Sequence, residues 1–261
     1  MRSEHAGPDA VLFDMDGTLV DTEGLWWQAT VSVAASLGRP LGREDMPYVL
    51  GRTAEDVAAH LLAPAPPPHH NPQPTPETTP PPHHNRPPAP ETAPPPRRNP
   101  PPAPETAPPP VARPVRDTPL MAEVVRQLTD AFADLIEQGV KVTPGASELL
   151  AELAATAIPT ALVTASPRTI VELVLPRLGH TFDLVIANED TARGKPYPDP
   201  YLEAARRLGT TPSRCVAVED SPTGVAAATA AGCHVLVTSP EKGLPSLAHL
   251  MTDAHPPEGW R

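Results

Sequence analysis

The sequence predicts an α/β protein built on a doubly wound parallel sheet, with a set of helices inserted after the first strand. Three observations carry this expectation. From Pro144 onward, short apolar runs alternate with helical stretches, the pattern of strands buried on both faces and joined by crossover helices. One apolar run, Ala10-Val11-Leu12-Phe13, stands far ahead of that alternation and reads as a strand of the same sheet. Between them lie only helical periodicity and a proline-rich segment.

The elements follow in order. After the first strand, Glu23 to Leu37 carries Leu25, Trp26, Val33, Ala34 and Leu37 at helical spacing and stops at Gly38 and Pro40. Glu44 to Leu62 reads as a second helical stretch, broken near Gly51. Leu120 to Gln138 repeats Val124, Leu128, Phe132, Leu135 and Ile136 on one face and ends at Gly139. Helices over Gly145–Ala155, Thr169–Leu178, Pro200–Leu208 and Thr223–Ala231 then alternate with strands at Thr160–Val163, Leu184–Ile186, Cys215–Val218 and His234–Val237. The expected division is a core of residues 1–20 and 140–261, and a helical cap of residues 21–62 and 120–139.

Residues 63–119 interrupt that cap. Of the chain's 41 prolines, 25 fall here. Residues 66–79, 80–93 and 94–107 repeat with a 14-residue period. Proline at this density cannot supply ladder hydrogen bonds, and little apolar surface is available to bury, so disorder with polyproline II character is expected. A lengthened flexible loop costs little free energy, which makes a tolerated, solvated insert the plain reading. Proline runs beside Arg86 and Arg97-Arg98 also offer a docking segment for a protein that reads proline motifs through an aromatic groove.

A net charge of -11 and a pI near 5.3 argue against a nucleic-acid partner, which calls for a basic footprint. No segment approaches the length of apolar sequence that crosses a bilayer, and Met1 to Pro8 lacks the apolar stretch of a signal peptide. Cys215 and Cys233, the two cysteines, sit in apolar runs and read as buried free thiols. A soluble, cytoplasmic protein with no membrane association is the expectation.

The ends of four strands carry the chemistry. Asp14 and Asp16 follow the first, two residues apart at a Gly-containing turn, so both can face one crevice beyond the C-terminal edge of the sheet. One carboxylate can attack an electrophile while the other handles protons, and together they can hold a divalent cation. Thr164-Ala165-Ser166 follows the Thr160–Val163 strand, and Glu219-Asp220-Ser221 follows Val218. An Arg-Gly-Lys-Pro loop puts Lys195 at the N-terminus of a helix. Singly these have plain alternatives: a strand end, a helix cap, a solvated lysine. Together they suit a phosphoryl group, whose negative charge would repel a carboxylate nucleophile unless a cation such as Mg²⁺ and a lysine neutralise the site.

The ordered set Asp14-Met15-Asp16-Gly17-Thr18, Thr164, Lys195-Pro196 and Glu219-Asp220-Ser221 resembles the haloacid dehalogenase (HAD) superfamily. More narrowly, FDMDGTLVDTE from Phe13, GKPYPDP from Gly194 and VEDSPTG from Val218 resemble its β-phosphoglucomutase-like phosphatases. The resemblance covers the chain outside the proline-rich insert and implies a Rossmann-like core with a helical cap. It implies that Asp14 forms an aspartyl-phosphate, that Asp16 protonates the leaving oxygen and then activates water, that Thr164 bonds the phosphoryl group and that Lys195 offsets charge. It further implies Mg²⁺ held by Asp14, the Asp16 main-chain carbonyl and Asp220, with Glu219 nearby or ligating through water. Ser166 and Arg168 would touch phosphate or substrate, and Arg52, Trp26 and Trp27 are candidates for specificity.

Within that superfamily, Asp16 argues against a dehalogenase, whose leaving halide needs no acid. The absence of lysine from Thr22 to Leu62 argues against Schiff-base chemistry in the cap. Mutase relatives resemble Gly-x-Ser-Arg near Gly51, where this chain reads Gly51-Arg52-Thr53-Ala54. A Mg²⁺-dependent phosphatase acting on a small phosphorylated metabolite, such as a sugar phosphate, is the favoured expectation. A phosphosugar mutase, or a non-catalytic scaffold acting through the proline-rich insert, stands as the alternative.

Overall fold

A computed structural model describes residues 7–63 and 118–253 of the chain. The proline-rich repeats, and with them the expectation of disorder, lie outside the described residues.

Five parallel strands form the central sheet: β1 (Ala10–Phe13), β4 (Thr160–Val163), β5 (Leu184–Ile186), β6 (Cys215–Glu219) and β7 (His234–Val237). Their order is β5-β4-β1-β6-β7. The first strand is therefore central, with Val11 opposite Thr160 on one side and Val216 on the other. A short antiparallel pair, β2 (Val20–Asp21) with β3 (Lys141–Val142), stands apart from the sheet. It was not expected from the sequence, because two residues are too few to show a period.

Alternation along the strands divides the core into two layers. Val11 and Phe13, Leu162, and Val216 and Val218 face one side. There they meet α4 (Ala146–Ala154), α5 (Arg168–Leu178) and α8 (Leu247–Asp253) through Leu150, Ile170, Val174 and Leu250. Ala10 and Leu12, Ala161 and Val163, and Cys215 and Ala217 face the other side, against α6 (Asp199–Arg207) and α7 (Pro222–Ala231). Small residues there, Ala204, Ala205, Ala227 and Ala228, let those helices approach closely.

A third apolar cluster joins α1 (Glu23–Ser36), α2 (Ala54–Leu62) and α3 (Pro119–Gln138) through Val33, Ala34, Val57, Leu61, Val124 and Leu128. The periodicity of α3 continues past this cluster, so that Phe132 and Ile136 enter the sheet's own core. Thr118 caps α3 by accepting from the Met121 N–H, and Pro119 opens the helix where no N–H is needed. The stretch expected as one broken helix from Glu44 resolves into a 3₁₀ turn over Arg43–Tyr48, with Pro47 inside it, and α2. Among the described residues no helix is long and apolar enough to cross a membrane. Cys215 is buried and Cys233 half-buried, both free, and burial pushes their thiols up to about 11 and about 12.

Candidate active site

Parallel pairing about β1 brings three of the four predicted strand ends together. The Asp14 N–H donates to the Val218 carbonyl at 3.0 Å, and the Thr164 N–H to the Ile186 carbonyl at 2.9 Å, so the ladder continues just past each strand. Side chains beyond that point converge on the C-terminal rim of the sheet, where open α/β folds bind ligands.

Asp14 is buried, and Lys195 Nζ donates to its Oδ1 at 2.6 Å and to Glu219 Oε1 at 2.5 Å. Tyr201 donates its hydroxyl to the same Glu219 oxygen at 2.5 Å. Asp14 Oδ2 is buried with no hydrogen-bond partner. Burial raises the Asp14 carboxyl well above its ordinary value, with Glu219, Asp220 and Asp16 pushing the same way and Lys195 opposing. Burial pulls the Lys195 ammonium down, yet Asp14 and Glu219 lift it further, so it stays charged above lysine's ordinary range.

Asp16 is held differently. Its Oδ1 accepts from Thr22 at 2.9 Å, and its Oδ2 from Thr164 at 3.1 Å and Ser166 at 2.8 Å. Burial raises its carboxyl, and these three hydroxyls restrain the rise. Thr22 precedes α1 without capping it, since its hydroxyl is spent on Asp16. The two aspartates of one motif thus occupy separate environments, one beside a cation and one beside hydroxyls, as a nucleophile and an acid would need.

Carboxylate oxygens of Asp14, Glu219 and Asp220 lie within 4.8 Å of one another. Thr18 Oγ1 donates to Asp220 Oδ1 at 3.3 Å. Burial, then Glu219 and Glu23, push the Asp220 carboxyl up to about 7, while Lys195 and Thr18 pull it back. Gly17 makes room here: its φ is +85, and a Cβ on it would fall 2.0 Å from Asp220 Oδ2. An all-oxygen donor set, the partnerless Asp14 Oδ2 and the space that Gly17 leaves open fit a hard divalent cation such as Mg²⁺. Of the residues named from the sequence as metal ligands, Asp14, Glu219 and Asp220 form this cluster; Asp16 was named through its main-chain carbonyl, and its carboxylate is turned to three hydroxyls.

An open cleft rises from these groups. Trp26, Phe132 and Ile170 form its apolar wall, and Glu23, Arg52 and Thr129 add polar groups. Trp26 donates its indole N–H to the Val49 carbonyl at 2.9 Å and meets Phe132 edge-on, so it serves packing and lining together. Trp27 packs in the helical cluster and does not line the cleft.

One element prediction is corrected, and one predicted site residue is found outside the cleft lining. Lys195 sits in a loop four residues ahead of α6 rather than at a helix N-terminus, with the buried ion pairs, not a helix dipole, fixing its position. Arg168 opens α5 but does not line the cleft; its guanidinium pairs with Asp190 and its N–H with Glu189. Sequence reasoning missed Tyr201, Thr22 and Thr18. Tyr201 could have been noticed, because it shares the buried face of α6 with Ala204 and Ala205 while carrying a hydroxyl that needs a partner. Both threonines lie within the motif that begins at Phe13, but their hydroxyls carry no sign there of which carboxylate they bond.

A family model described as haloacid dehalogenase-like hydrolase matches residues 113–232. Hexitol phosphatase B of Escherichia coli strain K12 is 29% identical over 236 residues, spanning 89% of this chain and 84% of that protein. Among solved structures, CbbY from Rhodobacter sphaeroides in complex with phosphate superposes with a TM-score of 0.62 at 27% identity, over 89% of this chain and 86% of that one. A β-phosphoglucomutase from Clostridium difficile shares the fold, with a TM-score of 0.60 at 16% identity over 90% of this chain and 86% of its own. Sequence motifs, sheet order and these likenesses point the same way: over residues 113–232 the chain is similar to the haloacid dehalogenase-like hydrolases, and its fold is similar to that of CbbY.

Proposed function

We propose that this chain is a phosphatase of small phosphorylated metabolites, sugar or hexitol phosphates first among them, with Asp14 as nucleophile. The observation that carries the reading is the state of the Asp14 carboxylate. One oxygen is gripped by Lys195, and the other is buried and partnerless at the foot of the cleft. The names of relatives support the substrate class: hexitol phosphatase B, and CbbY in complex with phosphate.

In this reading Asp14 attacks phosphorus and an aspartyl-phosphate forms while the ester oxygen leaves. Asp16, whose carboxyl is raised by burial, delivers a proton to that oxygen and then takes one from the hydrolytic water. Thr164 and Ser166, now donating to Asp16, stand where the phosphoryl oxygens would arrive. Lys195 neutralises Asp14, and Glu219, locked by Tyr201, holds Lys195 in place.

Charge balance requires more than this. Asp14, Asp16, Glu219 and Asp220 face a single buried ammonium, so a dianionic ester would be repelled from the protein groups alone. Asp14 and Asp220, with Glu219 through its less engaged Oε2, would hold Mg²⁺. When bound, that ion offsets negative charge on the carboxylates and the phosphoryl group.

Substrate choice is assigned to the wall built by α1, α2 and α3, which we read as the cap. Among the described residues lining the cleft, Arg52 and Lys195 are its cations. With Lys195 committed to Asp14, Arg52 remains for the non-reacting end of the substrate, a monophosphate rather than a bisphosphate.

Phosphate release from hexose phosphates, hexitol phosphates and p-nitrophenyl phosphate, with and without Mg²⁺, tests the proposal. Metal-dependent turnover, fastest on one class of sugar phosphate, is expected. Interconversion of phosphosugars without phosphate release would replace it with the mutase reading.

A further inference from the structure

Thr223 lies in the first turn of α7, just beyond the carboxylate pair Glu219-Asp220. Its hydroxyl donates to the main-chain carbonyl of Gly51 at 3.1 Å, across 172 positions of sequence. The Ser221 and Thr223 hydroxyls are 3.3 Å apart, and Ser221 donates to Glu219 Oε2 at 3.4 Å. Thr223 is thus hydrogen-bonded to the Gly51 turn and sits beside Ser221, which bonds Glu219, the carboxylate that holds Lys195 against Asp14.

The Gly51 end is built for this contact. Gly51 has φ +65, and a Cβ there would lie 3.3 Å from both Ser221 Cβ and Thr223 Oγ1. Only glycine lets this backbone come so near without displacing its neighbours. Arg52 follows immediately, its N–H donating to the Val49 carbonyl at 3.3 Å, and its side chain lines the cleft together with Gly51, Ser221 and Thr223.

We infer that Thr223 is a positioning residue for specificity, pinning the Gly51–Arg52 turn to the catalytic loop so that Arg52 meets the non-reacting end of the substrate in fixed register with Asp14. The inference rests on the phosphatase reading for its substrate, but the pin itself is independent of turnover. Its chemistry follows from pre-organisation. An arginine on an unpinned turn samples many placements, and small misplacements of a substrate clamp cost much of its benefit.

Two measurements on the full chain separate the pin from the reading. The first is amide hydrogen exchange in the turn, comparing wild type, Thr223→Val and Thr223→Ser. The expected result is faster exchange across residues 50–54 in Thr223→Val, with serine restoring protection. Unchanged exchange in Thr223→Val overturns the pin whatever the enzyme hydrolyses. The second is steady-state kinetics on the best sugar phosphate and on p-nitrophenyl phosphate. Thr223→Val should raise KM for the sugar phosphate about three- to ten-fold more than for p-nitrophenyl phosphate, the fold-change expected for one hydrogen bond. Serine should recover most of that loss, and Arg52→Ala combined with Thr223→Val should be no worse than Arg52→Ala alone. Equal losses on both substrates, or additive losses in the double variant, overturn the positioning role. If no phosphate ester turns over in wild type while exchange responds as expected, the phosphatase reading fails and the pin stands.

Discussion

Replacing Lys195 by methionine should unfold more of this protein than any exposed charge change, and the structure gives the size. The ammonium, with 3% side-chain exposure, lies 2.6 Å from Asp14 and 2.5 Å from Glu219. At an effective dielectric constant of about 20, each contact is worth roughly 6 kcal/mol of attraction before desolvation is subtracted. Removing one partner of a buried pair while its carboxylates stay behind costs about 3–5 kcal/mol. That is a large share of the roughly 5–15 kcal/mol that holds a domain folded. Methionine keeps the length of the chain, so the loss reads charge rather than a cavity. The sign of the pH dependence follows. Without Lys195, folding raises the carboxyl pKa of Asp14 further above its unfolded value, so stability is present at low pH and lost as pH rises through the folded value. Urea titrations of wild type and Lys195→Met at about pH 5.5 and about pH 7.5 measure this, with an unchanged m value as the check on two-state unfolding. The expected deficit is about 3–5 kcal/mol at the higher pH and smaller at the lower. A deficit below about 1 kcal/mol, or one that grows on acidification, refutes the assignment of Lys195 as the counter-charge of this site.

Three further outcomes are expected. Gly17→Ala meets both a left-handed φ and a Cβ 2.0 Å from Asp220 Oδ2, so phosphate release should collapse and stability should fall by about 1–3 kcal/mol; activity within about twofold of wild type contradicts this. Thr143→Val removes a buried hydroxyl that has no partner, and thermal or urea unfolding should show no loss or a gain of up to about 1 kcal/mol, whereas a clear loss would reveal a bond to Thr143 Oγ1. His180 is lowered from 6.5 by burial, against the pull of Asp183, so its contribution is present above about pH 6.5 and lost as pH falls toward the folded value; the stability difference between wild type and His180→Gln should show that slope, and a flat difference from pH 7 to about pH 5 contradicts it.

Much of this molecule was legible because two periods dominate its sequence. The buried strands around β1 are unbroken apolar runs, and α3 repeats its apolar face from Met121 to Ile136 with one capping threonine ahead of it. The site was legible where chemistry-bearing residues follow strand ends, which parallel pairing must bring to one rim: Asp14, Asp16, Thr164 and Glu219. Lys195 was recognised as a site residue, but its support was not, since the Tyr201 hydroxyl that completes the Glu219 clamp lies on an otherwise apolar helix face. Arg168 shows the opposite failure. The family resemblance implied a contact with phosphate or substrate, whereas here its guanidinium pairs with Asp190. A contact between segments far apart in sequence, such as Thr223 on the Gly51 carbonyl, depends on where loops cross and leaves no local pattern. The β2–β3 pair and the 3₁₀ turn around Pro47 are shorter than any window in which periodicity can be read.

The most direct test is a rapid acid quench of the enzyme during its first turnover of a labelled sugar phosphate in Mg²⁺, followed by peptide mapping. The account predicts phosphate attached to the peptide that carries Asp14, appearing and decaying at rates fast enough to support turnover, and absent in Asp14→Asn. Phosphate release at an undiminished rate from Asp14→Asn, with no labelled peptide in wild type, would contradict it and leave Asp14 as part of the metal cluster alone.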